Sequence, residues 1–252
     1  MPYAPNEIEP MFEPQRQAAA ERGFECSFLS YEDLQQEQRL IVRPAAQEED
    51  LLVLRGWMFR PAEYEDLLER AQRREWKFLT TAAEYRRCHW MDGWYEQLKD
   101  FTSETVFLDE QADIESLLTR WGRAFVKDRV KSCTVNGLPI VSNWTELEAL
   151  RATMTEFRGE IEGGLCFRQV EEFVPESECR LFVFRGQLHH RPIAPEAVEL
   201  ARTVVERIEA PFYSIDLGLR QDGVWRVIEL GDGQVSDLKE WPAEGFFGIF
   251  PC

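Results

Sequence analysis

The chain has 252 residues and a mass of 29.5 kDa, enough for one large domain or two modest ones. Apolar residues make up 44% and charged residues 30%, which fits a globular protein with a core. Lys and Arg total 29 against 46 Asp and Glu, and the net charge of −17 repels phosphate backbones and anionic bilayers, excluding non-specific nucleic acid and membrane partners.

Met1 to Pro14 is acidic and Pro-rich, with no basic stretch leading into an apolar one. It predicts a cytoplasmic chain without a signal peptide, and no apolar run reaches the ~18 residues of a membrane span. The cysteines at 26, 88, 133, 166, 179 and 252 form no Cys-x-x-Cys pair. The three histidines (His89, His189, His190) complete no zinc spacing, so reduced thiols are expected. The apolar runs 39–43 and 51–55 read as buried strands. Pro61 then opens a helix to about Arg74, with Tyr64, Leu67, Leu68 and Ala71 on one face. The aromatic stretch from Tyr85 to Tyr95 reads as packing. Asp109 caps a second helix over Ile114, Leu117, Leu118 and Trp121, and Gly122 stops it.

Beyond a boundary near 105–122 the texture changes. Ala124 to Lys127 is a strand. Asn143 to Phe157 is a helix capped near Thr145, with Leu147, Leu150, Met154 and Phe157 facing inward. Residues 166–174 and 179–185 are strands, and Glu196 to Ala210 is a helix with Val198, Ala201, Val205 and Ile208 on one face. Residues 212–220 and 224–230 are strands again. Late antiparallel hairpins in a mixed order predict an α+β fold.

Asp222-Gly223 is a favoured two-residue hairpin turn. With Gln221 opposite Val224, counting back puts Asp216 directly opposite Glu229. The other face, Ile215, Leu217 and Leu219 with Ile228 and Leu230, is core. Facing carboxylates repel unless a cation sits between them or one is protonated. A divalent ion with all-oxygen ligation suits Mg²⁺ shared with substrate phosphates, and Asp232 is a candidate third oxygen. A solvated acidic face is the alternative.

Lys127, Arg129 and Lys131 alternate and point to one side if extended. A turn at Arg185-Gly186 puts Arg180 opposite Arg191, a pair that needs an anion between its members; a Gly186-Gln187 loop is the other register. Ordinary ion pairs with the abundant acids are the plain reading of each cation alone. Together, beside a metal hairpin, they describe a polyphosphate site.

The order of these motifs resembles the ATP-grasp superfamily over roughly 120–240. A strand lysine, Lys127, precedes Glu171-Glu172-Phe173-Val174, then Glu178-x-Arg180, then Asp216, then Val-Ile-Glu229 before Gly-Asp-Gly-Gln. The tail Glu229–Ser236 and Leu54–Met58 are similar to a bacterial and phage ATP-grasp clade. The resemblance implies two α+β subdomains gripping ATP over 111–252, preceded by a smaller α/β pre-grasp-like domain at 1–110. It implies phosphate contacts from Lys127, Lys131 and Arg180. Adenine would meet the backbone of 171–174, Glu178 would lie near ribose, and Asp216 and Glu229 would ligate Mg²⁺. Many members carry Asn two residues after the glutamate; here Gly231 stands there, which leaves Asp232 as the candidate.

The chemistry implied is phosphoryl transfer from ATP to a carboxylate, giving an acyl phosphate that an amine or thiol attacks. Acceptors would be small metabolites or peptides, with Arg43 and Arg55, each ending an apolar run, as candidate carboxylate holders. The alternative is an ATP-binding assembly or chaperone module of the same fold without turnover. A metal nuclease would need a lysine just beyond the second acid, where Leu230 and Gly231 stand.

Overall fold

Apolar alternation over residues 179–232 and 105–169 builds two four-stranded antiparallel sheets, and everything else packs against them. The computed structural model describes residues 7–36, 39–47, 50–130, 138–159 and 161–251. Among these no helix is long and apolar enough to cross a membrane.

The N-terminal part runs α1 (Glu13–Glu21), β1 (Phe28–Leu29), α2 (Tyr31–Gln36), β2 (Val42–Arg43), β3 (Leu51–Leu52), α3 (Pro61–Gln72), β4 (Lys77–Phe78), α4 (Ala82–His89) and α5 (Met91–Leu98). β1 pairs antiparallel with β2, and β3 parallel with β4. The apolar runs expected as buried strands form only these two-residue pieces, and Leu51 is 50% exposed. Their hydrophobicity serves a cluster of Phe59, Tyr64, Leu67, Trp76 and Tyr85 instead. Thr81 starts α4 by accepting from the Glu84 backbone N–H, while the Glu84 carboxylate accepts from the Thr81 N–H.

The first large sheet is ordered β5 (Thr105–Phe107), β8 (Leu165–Gln169), β6 (Ala124–Asp128), β7 (Ile140–Val141). It is backed by α6 (Gln111–Trp121) and α7 (Trp144–Arg158). Gly122 stops α6 at φ +74°, a left-handed value that glycine adopts without strain. No side chain caps α6; it begins after Glu110 rather than on the expected Asp109. α7 is capped by Asn143, whose Oδ1 accepts from the Glu146 N–H at 3.0 Å, not by Thr145. Phe157 is 58% exposed, because ten residues beyond Leu147 the helix has turned roughly 80° from the buried stripe.

The second sheet is ordered β10 (Gln187–His189), β9 (Cys179–Phe184), β11 (Phe212–Leu219), β12 (Trp225–Asp232), with α8 (Pro195–Arg207) and α9 (Ala243–Phe247) around it. One face packs Ile215, Leu217, Val227 and Leu230 onto α5 and α8. α8 buries Ala197, Ala201 and Val204, one residue round from the expected stripe. The other face stacks Phe182, Phe184 and Phe212 against Trp241, Phe246 and Phe250 from the tail. The strand expected to run to 174 ends at Gln169, and Phe173 keeps one isolated bridge to Arg220.

The β11–β12 hairpin pairs Asp216 with Glu229, by a route the turn rule does not describe. Arg220 donates to Val224 O, so the loop has three residues, Gln221, Asp222 and Gly223, with Gly223 at φ +86°. The ladder therefore starts one residue off, with Leu219 opposite Trp225 and Leu217 opposite Val227. A bulge at Ile228 restores the count before Asp216. The bulge also puts Val227, not Ile228, in the core.

Phe212 has its ring 5.3 Å from Phe250 and 6.0 Å from Phe246, so it carries the seal between sheet and tail. Phe212→Ala is expected to cost about 3–5 kcal/mol, read as a lowered urea midpoint.

Candidate functional site

The two large sheets meet where β6 faces β12. Lys127 on β6 is 1% exposed, and its ammonium donates to Glu229 Oε1, a carboxylate whose side chain is 33% exposed. Alternation on β6 keeps Val126 in the core behind it and turns Lys127 toward the other sheet. Arg129 pairs with Asp92 of α5 at 2.8 Å instead of continuing a cationic row, and Lys131 lies outside the described residues.

Asp216 carries more cation than Glu229. Arg180, its direct partner on β9, donates Nε to Oδ1 at 2.7 Å and Nη2 to Oδ2 at 2.6 Å. This two-armed geometry is the strong form of the contact. Burial opposes the guanidinium charge, but hydrogen bonding and attraction from Asp216 hold its pKa above the ordinary value. Lys239 donates to Asp216 Oδ2 at 3.0 Å and also to Glu178. Arg191 is not opposite Arg180. The Arg185-Gly186 turn forms as expected, but the ladder stops at His189, and exposed Arg191 bonds the Glu240 carbonyl at 2.7 Å.

The segment Glu171–Val174 lies along the hairpin end. Glu171 accepts from Ser103 at 2.7 Å and from Arg220 at 2.9 Å, with Arg226 at 3.3 Å. Glu172 pairs with Arg123 at 2.5 Å, and its carbonyl accepts from Gln221 N–H. Val174 N–H donates to Leu219 O at 2.8 Å. The ring of Phe173 lies against Gly218, where a Cβ would meet it at 2.9 Å.

Two candidates move out of the site. Asp232 pairs with Tyr213 on the core face, three positions from Glu229 and on the opposite side of β12, so it shares no ion with Glu229. It is fully buried; its Oδ1 accepts from Gln234 N–H at 3.0 Å and Gln234 Nε2 at 3.2 Å. Burial, against those hydrogen bonds, pushes its pKa up to about 7. Arg55 is consumed by backbone carbonyls of the tail: Gly233 at 2.5 Å, Gln234 at 3.0 Å and Ser236 at 2.8 Å. Burial pushes it down to about 10. Its guanidinium is a structural clamp rather than a carboxylate holder, and Arg43 is exposed on β2.

Sequence reading missed three groups. Lys239 gave no signal, being one charge in an acidic loop. Arg168 is buried in β8; it donates to the bulged Ile228 carbonyl at 2.8 Å and to Thr102 Oγ1 at 2.7 Å. Thr102 in turn donates to Val227 O at 2.7 Å, so the first sheet fixes the bulge that aligns the carboxylates. Ser214 and Ser236 share a 2.7 Å hydrogen bond over Gly231, where a Cβ would lie 2.6 Å from Ser236 Oγ. That explains the glycine where the resemblance favours asparagine.

Among the described residues no three His, Cys, Asp or Glu side chains converge on a metal position. Asp216 and Glu229 fit a Mg²⁺ shared with phosphate oxygens, which needs only one or two carboxylates, and not an all-protein cage. A cavity of about 370 Å³ lies where the N-terminal part meets the end of β6, lined by Tyr31, Arg60 and Glu63 with Val130 and Glu162.

Residues 99–247, spanning both sheets and this site, match the model of an ATP-grasp domain family, the third family of its clade. The chain belongs to this ATP-grasp family. Its fold is similar to that of D-cycloserine synthetase DcsG, at 15% identity over 93% of this chain and 91% of that one, with a TM-score of 0.66. A RimK domain ATP-grasp protein from Sphaerobacter thermophilus is similar at 17% identity over 96% and 95%, TM-score 0.63. The ATP-grasp ligase PsnB, complexed with minimal precursor, Mg and ADP, is similar at 12% identity over 94% and 89%, TM-score 0.56. No curated protein sequence matches the chain.

Two tests follow from the hairpin. An unfolded Asp232 releases its proton near 3.8 and the folded one holds it to about 7, so this group makes stability fall as pH rises through that interval and level off above it. Asp232→Asn is expected to flatten that slope in urea melts between pH 4 and 7. Gly231→Asn is expected to lower stability by about 1–3 kcal/mol in the same assay, because the paired serine hydroxyls must separate.

Proposed function

We propose that the chain is an ATP- and Mg²⁺-dependent ligase joining a carboxylate to an amine or thiol through an acyl phosphate. The observation that carries the reading is the contact of buried Lys127, from one sheet, with Glu229 of the other, beside Asp216 and Arg180. Cations and carboxylates so interleaved at a junction of two sheets suit a polyanion bridged to acids by a divalent ion. Lys127 and Arg180 neutralise charge on the transferring phosphoryl group, with Lys131 in the loop over it. Glu171–Val174 offers backbone groups to adenine, and Glu178 lies at ribose. Glu229 with Asp216 would hold the Mg²⁺, whose charge would polarise the phosphates.

In this reading a carboxylate oxygen attacks the γ-phosphorus and ADP leaves. The amine or thiol then adds to the acyl carbon, loses its proton to solvent and expels phosphate. No side chain need form a covalent bond, so the demands on the protein are positioning and charge. The cavity beside Val130 is the acceptor's place, with residues 1–110 acting as a pre-grasp-like domain that supplies Tyr31, Arg60 and Glu63 to it. The acceptor is a small metabolite or a peptide.

Thermal shift with Mg·ATP tests the site. The wild type is expected to be stabilised at millimolar nucleotide, and Glu229→Ala and Lys127→Ala to lose at least tenfold in affinity. No stabilisation of the wild type would sink the reading. ADP release with a carboxylate and amine pool supports a ligase, whereas ATP binding without any turnover supports an assembly module.

A further inference from the structure

Asp216 is already neutralised by the protein. Three cationic hydrogen bonds reach its two oxygens, two from Arg180 and one from Lys239. A carboxylate so committed has little left to offer a metal ion. The loop that carries Lys239 is itself tied down. Arg180 Nη1 bonds the Asp237 carbonyl at 2.9 Å and its carboxylate at 3.0 Å. Arg180 N–H donates to Glu240, Arg191 donates to the Glu240 carbonyl, and Trp241 Nε1 donates to the Arg180 carbonyl at 2.8 Å. Lys239 itself sits at φ +45°, a left-handed conformation that a lysine does not adopt without such constraint. The result is an ammonium held between Glu178 and Asp216, beside the Glu229–Lys127 pair.

The remaining donors for a second ion are missing. Gly231 has no side chain, and the space above it is filled by Ser214 and Ser236. Asp232 lies on the other face.

We propose that Lys239 is a tethered nucleotide-site cation standing in place of a second divalent ion, so that the protein binds nucleotide with one metal ion, at Glu229. The inference rests on the ATP-binding reading above and specifies how that site balances charge. Lys239 would face the polyphosphate or ribose oxygens of the nucleotide, with Asp216 serving to anchor it and Arg180.

The test uses the full chain with Mn²⁺ and a non-hydrolysable ATP analogue. Bound Mn²⁺ is counted by electron paramagnetic resonance, and nucleotide affinity is measured by calorimetry. The wild type is expected to bind one Mn²⁺ per chain in the presence of the analogue. Lys239→Met and Lys239→Gln are expected to weaken the analogue at least tenfold, and Lys239→Arg to stay within a few-fold of wild type. Two Mn²⁺ per wild-type chain would overturn the proposal, and that count needs no variant to fold. Unchanged affinity in folded Lys239→Met would overturn it too. Failure of the wild type to bind the analogue at all would instead refute the ATP-binding reading.

Discussion

Two carboxylates set directly opposite each other across a ladder repel, and the arrangement of the site follows from the need to hold Asp216 and Glu229 together. Each is answered from a different part of the chain. Arg180 comes from the neighbouring strand of the same sheet, Lys127 from the facing sheet and Lys239 from the tail. Partly buried ion pairs of this kind add little net stability, because desolvation offsets their attraction. Removing one partner is expensive, however, since it leaves an uncompensated charge. The pairs therefore fix positions more than they stabilise the fold.

Alignment of the carboxylates is also an achievement of the first sheet. Without the bulge at Ile228, the three-residue turn would leave Asp216 and Glu229 out of register. A bulge exposes carbonyls that the ladder no longer uses, and Thr102 and Arg168 take those of Val227 and Ile228. Burial pushes the Arg168 pKa below its ordinary value, so the cation is kept there against desolvation. The same two residues bring the sheets close enough for Lys127 to reach Glu229.

The facing carboxylates were legible in the sequence because strand alternation and a Gly-containing turn are local rules. The pairing emerged from two departures that cancel, a longer turn and a bulge, neither of which a local rule detects. Lys127 was legible through its place in an ordered set of motifs. Lys239 and Arg168 were not, since their partners lie far along the chain: Lys239 is 61 residues from Glu178, and Arg168 is 60 from Ile228. Asp232 misled for a simple reason of parity. Spacing of three places a strand residue on the opposite face, and a loop departure that would have brought it back does not occur until Gly233. Arg55 misled because the end of an apolar run was read as an opening, whereas the tail covers it.

The tail explains how distant parts of the chain act on one another. Residues 233–236 are clamped by Arg55, and Gln234 reaches Leu54 N–H and Tyr64 Oη in the N-terminal part. A few residues later, Asp237, Lys239 and Glu240 contact Arg180 and Asp216. One short segment is thus fastened at one end to the N-terminal core and at the other to the charged junction. Displacing the N-terminal part would strip carbonyls at 233–236 of a buried guanidinium, a loss of several charge-assisted hydrogen bonds at once. The placement of Lys239 is therefore as secure as the docking of the N-terminal part. The acidic chain builds its small basic site by folding its tail back between its two halves.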